Sequence, residues 1–204
     1  MRARIVGSIG SLALVVGLMG VWGSVLAGQP KPASAAGAIQ QVLQKYAATI
    51  NSAEFAKGPM QKRAELLRPF YRADSVYAKG QQKPIFLGPL SEPVSRGMES
   101  HIDNLLLNFE YLFRQKLTYG FRFDEVQIEA DNSLGVVLAL STAGYASADG
   151  KTNFQTKGRS TLVLTKMSNG KWLISHEHME LYNPNSPGTL SKDQLLAEIA
   201  RLAK

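Results

Sequence analysis

The chain has 204 residues, no cysteine and a formal net charge of +7, with 45% of its residues apolar. That composition excludes a disulfide framework and a cysteine-linked lipid anchor, and it leaves enough apolar material for one domain with a sizeable core. Lysines and arginines are scattered, with no run of five like charges. This argues against nucleic acid, which needs cations clustered on one face, and suits an anionic small molecule or an anionic membrane surface.

The first element is an address. Arg2 and Arg4 precede an uncharged apolar run from Ile5 to Ala27, and the next charge is Lys31. A basic tip, an apolar stretch and a small-residue end at Val25-Leu26-Ala27 form the signal-peptide pattern. A second cut is readable at Ala33-Ser34-Ala35. The run of 23 residues is also long enough to span a bilayer, so a retained anchor through residues 5–27 is the rival reading. Five glycines in the run weaken it as a stable helix and favour cleavage. Both readings place the domain outside the cytoplasm, in the periplasm or beyond it. Residues 28–37, with two prolines and several small residues, read as a linker.

Ile39, Val42, Leu43, Tyr46, Ala47 and Ile50 recur at helical spacing, predicting a helix over about 38–53. After Gly58-Pro59, the residues Met60, Ala64, Leu67, Phe70 and Tyr71 suggest a shorter helix that Pro69 ends. Asp74 to Tyr77 reads as a short strand. The apolar, turn-rich stretch Pro84 to Leu90 is read as a plug of the fold's end in preference to a lid. Gly97 precedes a third helix, about 98–116. From Thr118 the period becomes two, giving four strands with turns at Asp131-Asn132-Ser133, Asp149-Gly150 and Asn169-Gly170. Ser191 with Gln194 forms a capping box for a last helix. Helices followed by a meander define an α+β class. The domain is expected to span 38–182, with a tail and helix over 183–204.

A two-residue loop at Asn169-Gly170 would pair Met167 with Trp172, Val163 with His176, Thr161 with His178 and Arg159 with Glu180. Alternation then sets Arg159, His176, His178 and Glu180 on one face with Trp172, Ile174 and Val163, unless a bulge intervenes. Leu162, Leu164, Leu173, Met179 and Leu181 fall on the other. Both faces are apolar enough that one is expected to pack on the helices and the other to be covered by a second copy of the sheet.

This layout resembles the SnoaL-like and nuclear transport factor 2-like superfamily, which includes the ketosteroid isomerases. The residues that carry the resemblance are Phe70 to Val76, Gly97 to Ile102, Gly158-Arg159-Ser160-Thr161 and Asn169 to His178. The resemblance implies a cone-shaped barrel of a curved antiparallel sheet packed on three N-terminal helices, with an open-ended cavity. It also implies a homodimer through the sheet. Isomerases of the family carry a general-base carboxylate a few residues beyond the position of Asp74. Here that place reads Tyr77-Ala78-Lys79-Gly80, with no acid before Glu92, so isomerase chemistry is not carried over.

Arg159 and His178, with His176 and Trp172, are the expected ligand-binding residues, since a guanidinium and an imidazole suit a carboxylate or phosphate. The competing reading pairs Arg159 with Glu180 and leaves His178 in a structural bond. Tyr46, Asp74 and His178 are the candidates if the protein is an enzyme of the isomerase or dehydratase kind. His176-x-His178 offers two imidazoles on one strand face, with Glu180 or His101 as a third ligand. Alternation alone produces such a pair, however, and neither metal nor cofactor is expected. His101, at the start of its helix, reads as solvent-facing. The expected function is binding of a small, apolar and partly anionic molecule by an exported homodimer; an assembly module is the third reading.

Overall fold

The computed structural model describes residues 34–79, 94–182 and 191–203. The expected leader, most of the expected linker, the stretch 84–90 read as a plug and the segment 183–190 lie outside the described residues. Among those described, no helix is long and apolar enough to cross a membrane.

Helix α1 (Ala35–Ile50) starts earlier than expected because Ser34 caps it, its hydroxyl accepting from the Gly37 amide. A leader cut after Ala35 would remove that cap. Ile39, Leu43, Tyr46 and Ile50 form its buried face. Two short helices follow, α2 (Ala53–Lys57) and α3 (Met60–Leu67). Pro69 stands in a 3-10 turn over Arg68–Phe70, so Tyr71 opens strand β1 (Tyr71–Lys79) and is not on the helix. Strand β2 (Val94–Arg96) leads to Gly97, whose φ of 86° suits a residue without Cβ, and then to α4 (Met98–Arg114). Strands β3 (Leu117–Ala130), β4 (Leu134–Ser147), β5 (Asn153–Lys166) and β6 (Trp172–Tyr182) complete the sheet. The predicted capping box starts α5 (Lys192–Leu202), which packs Leu195 and Ile199 against Leu107 and Tyr111 of α4.

Among the described residues, six strands run in the order β2-β1-β6-β5-β4-β3. The four-strand meander is antiparallel as expected, but β1 lies parallel to β6, so the sheet is mixed and not wholly antiparallel. With α1 and α4 against its concave face and α3 packed on both of those helices, this is the expected α+β cone.

The β5–β6 register corrects the face assignment. The turn is a three-residue loop: Met167 pairs with Lys171, and Gly170 sits at φ 81°. Lys166 therefore faces Trp172 and Leu164 faces Ile174. A bulge then inserts Ser175, and beyond it Val163 faces His176, Thr161 faces His178 and Arg159 faces Glu180, as expected. The first half of β6 is thus one residue out of the predicted register. Trp172 and Ile174 turn inward with Glu177 and Met179, while His176, His178 and Arg159 stand on the convex face. A second bulge in β3, with Glu125 at φ 41°, keeps Phe121 and Phe123 inward before it and Val126 and Ile128 inward after it.

Two contacts seat α1 on the sheet. The Asn51 side chain donates to the Phe121 carbonyl and accepts from the Phe121 amide, both at 2.7 Å, completing the backbone bonding of edge strand β3. Ile39 fills the space above Gly135, where a Cβ would overlap its Cδ1. Gly135→Ala is therefore expected to cost about 1–2 kcal/mol through overpacking. Ile39→Val on the Gly135→Ala background should recover part of the loss, as read from urea denaturation midpoints.

Candidate functional site

Four ionisable or hydroxylic side chains meet in the interior of the cone, between α1, α4, β1 and β6. Tyr46 comes from the buried face of α1, Tyr71 from the start of β1, His101 from the first turn of α4 and Glu177 from β6 beyond the bulge. All are at most 3% exposed. The Tyr71 hydroxyl donates to Glu177 Oε2 at 2.7 Å. Its single proton being committed there, Tyr71 receives its 2.9 Å bond from the Tyr46 hydroxyl. His101 Nε2 lies 3.3 Å from the same Glu177 oxygen, and its ring meets the Tyr71 ring edge-on at 4.7 Å. Glu177 Oε1 is buried and accepts no hydrogen bond among the described residues.

Strand β1 carries no carboxylate beyond Asp74, and the buried carboxylate of the cluster stands on the neighbouring strand β6. Glu177 pairs in register with Tyr77.

Burial, and then the Glu177 charge and Tyr46, push the Tyr71 phenol well above its ordinary 10.0. Burial, and then Tyr119, do the same to Tyr145. A raised folded value means stability that is complete below pH 10 and lost as pH rises. Each phenol then contributes a slope of about 1.4 kcal/mol per pH unit above that point. Urea titrations between pH 9 and 11 are expected to show this decline, and Tyr71→Phe should remove one phenol's share.

The residues singled out from the sequence are dispersed. Tyr46 is in the cluster. Trp172 is buried at the base of the same concave face, with Lys166 Nζ 6.0 Å from its ring centroid. Arg159 is exposed on the convex face, and His176 and His178 are half-buried there. Asp74 is on the surface in a bidentate pair with Arg72, at 2.9 and 2.6 Å. The set Tyr46, Asp74 and His178 therefore does not come together. His101 is 1% exposed and not solvent-facing, because it packs on Tyr71 of β1 and faces Glu177 of β6. No group of three metal-ligating side chains occurs among the described residues.

An open groove of about 630 Å³ lies elsewhere, between α2, α3 and α4, over Lys57, Pro59, Met60, Arg63, Glu110 and Phe113. Its floor is structural. Arg63, 5% exposed, donates to Glu110 Oε2 at 2.6 Å and to the carbonyls of Phe55 and Ala56 at 2.8 and 3.1 Å, and sits 4.6 Å over the Phe113 ring. Those groups are engaged with one another, whereas Glu177 is not fully engaged, so the interior cluster is the candidate site.

No protein-family model matches the chain, and no curated protein matches it. Solved structures do. A nuclear transport factor 2-like protein of unknown function from Pseudomonas putida KT2440 is similar at TM-score 0.54 and 14% identity, covering 76% of this chain and 93% of that one. A protein from Catenulispora acidiphila, solved in complex with S-DNPA, is similar at TM-score 0.51 and 16% identity, over 71% and 90% of the two chains. At such identities the likeness is one of fold, and the fold is the nuclear transport factor 2-like cone.

Proposed function

We propose that this chain, having the nuclear transport factor 2-like fold, binds a small, largely apolar molecule inside its cone, with the molecule's polar end at Tyr46, Tyr71, His101 and Glu177. The observation that carries the reading is the buried Glu177 Oε1, which is unpartnered among the described residues. Interiors pair their polar atoms, and a carboxylate oxygen kept dry without a donor is costly unless something else supplies one. The surrounding side chains are apolar or aromatic, including Ile174, Met179 and Leu162, as small-molecule sites generally are. That the Catenulispora acidiphila neighbour was solved in complex with S-DNPA is in keeping with this use of the fold. Mass spectrometry of the natively purified protein should reveal a co-purifying small molecule whose removal lowers the melting temperature. A protein that carries none, and that no apolar compound stabilises, would sink the reading.

The convex face supports a further part of the proposal. Val136 pairs with Val163 and Leu138 with Thr161 across β4 and β5, and Leu138 is 51% exposed. An apolar sheet face of this kind suits a homodimer formed through the sheet. Leu138→Lys is expected to yield a folded monomer in sedimentation velocity. The leader is proposed to export the domain, and amino-terminal sequencing distinguishes release at Gly28 from a retained anchor.

A further inference from the structure

We infer that the polar end of the bound molecule is a hydrogen-bond donor, a hydroxyl or a protonated amine, and not the anion that the basic composition suggests. The inference rests on the proposed interior site and adds the chemistry of what enters it. It follows from where the protons of the cluster are. Tyr46 gives its proton to Tyr71, and Tyr71 gives its own to Glu177 Oε2. His101 faces that same oxygen. Every donor contact on the carboxylate therefore falls on Oε2, and Oε1 keeps both lone pairs without a donor among the described residues.

A second orphan points the same way. Asn108 lies seven residues beyond His101 on α4, two turns along the same helix face. Its Nδ2 donates to the Asn104 carbonyl at 2.8 Å, which fixes the amide's orientation. Its Oδ1 is buried and accepts nothing among the described residues. Both of these atoms are acceptors, so what completes them brings protons; the buried ring nitrogens of His101 lie in the same cluster, and a hydroxyl, which both donates and accepts, suits these as well. A carboxylate or phosphate brings none and adds a negative charge beside Glu177, whose facing base among the described residues is the imidazole of His101. Arg159, the residue that motivated an anionic ligand, stands exposed on the opposite side of the sheet. A hydroxyl satisfies Oε1 whether or not His101 is charged. An ammonium group is favoured when His101 is neutral and the carboxylate lacks a cation.

The test is a matched set of ligands on one apolar skeleton, 2-indanol, 2-aminoindane, 2-methoxyindane and indane-2-carboxylate, titrated into the folded protein by calorimetry and repeated on cyclohexane analogues. The alcohol or the amine is expected to bind about tenfold or more tightly than the ether, as one charge-assisted hydrogen bond provides. The carboxylate is expected to bind weakest, and the ratio of alcohol to amine tells which donor the site prefers. Glu177→Gln, which presents an amide in place of the bare oxygen, should erase the preference for the donors and raise the relative affinity of the ether. Equal binding of alcohol and ether, as when Oε1 needs only water, overturns the inference and leaves interior binding intact; so does preference for the carboxylate. Failure of every compound on both skeletons overturns interior binding itself.

Discussion

Arg63→Ala is expected to cost about 3–5 kcal/mol of folding stability, the usual price of stranding one half of a buried ion pair. The guanidinium serves three acceptors at once. It closes the end of α2 through the carbonyls of Phe55 and Ala56, and it neutralises Glu110, whose side chain is 13% exposed. Burial pushes the Glu110 carboxyl up, but the bonds from Arg63 and Arg114 outweigh it and hold it below its ordinary 4.5. A lowered folded value gives stability that is present above pH 4.5 and lost as pH falls below it. Without Arg63, only Arg114 remains on Glu110, through Nε at 2.8 Å from a side chain 45% exposed to water. Burial then dominates, and the carboxylate becomes a liability that grows as pH rises through 4.5. The gap between wild type and variant should therefore widen from pH 3.5 to pH 6 in urea titrations. Glu110→Gln on the Arg63→Ala background should recover part of it. Arg63→Met, which retains the stem against Phe113 but none of the donors, should lose nearly as much as alanine. A variant within about 1 kcal/mol of wild type at pH 6 would show that the pair is not buried in solution.

The elements were legible because their signals are local. Helical spacing of Ile39, Leu43, Tyr46 and Ile50 produced α1, and Ser191 with Gln194 produced the start of α5. The face of β6 departs from simple alternation because its register depends on two offsetting irregularities, a three-residue turn and the Ser175 bulge. The signal was nevertheless there. Apolar residues of β6 sit at even positions in Trp172 and Ile174, then at the odd position Met179. Strand β3 switches likewise, from Phe121 and Phe123 to Val126 and Ile128. A change of parity within one strand marks a bulge, and in β6 it turns Glu177 inward and His176 and His178 outward. Leu173 at an odd position obscured the switch. Tyr71 is hard to place because its apolar spacing fits the helix of Met60, Ala64 and Leu67, whereas the chain turns at Pro69 and Tyr71 opens β1. His101 was hidden because the direction of the first turn of α4 is fixed by packing on β1, not by its own spacing. Nothing in a single sequence brings residues 46, 71, 101 and 177 together; the parallel pairing of β1 with β6 does that, and it was not expected.

Glu177→Gln is expected to raise folding stability by about 2 kcal/mol while abolishing selective binding. The substitution keeps the volume and keeps an oxygen for the Tyr71 hydroxyl, but it removes a charge from a site 1% exposed. Burying a carboxylate without full compensation costs several kcal/mol, and neutral replacements of buried charges are commonly neutral to stabilising by about 1–4 kcal/mol. The partner left behind is His101, an aromatic imidazole packed edge-on against the Tyr71 ring, which is not stranded as a lysine ammonium would be. A carboxylate retained for structure would give the opposite sign: the Tyr46–Tyr71–Glu177 chain would weaken and the melting temperature would fall. Tyr71→Phe completes the comparison. It removes the donor from Oε2 and leaves the charge, so it should destabilise wild type and cost much less on the Glu177→Gln background. A gain in stability for Glu177→Gln, a loss for Tyr71→Phe and coupling between the two would mark Glu177 as a group held for what it binds. A loss for Glu177→Gln, with unchanged ligand preference, would return the cluster to the core as a structural network.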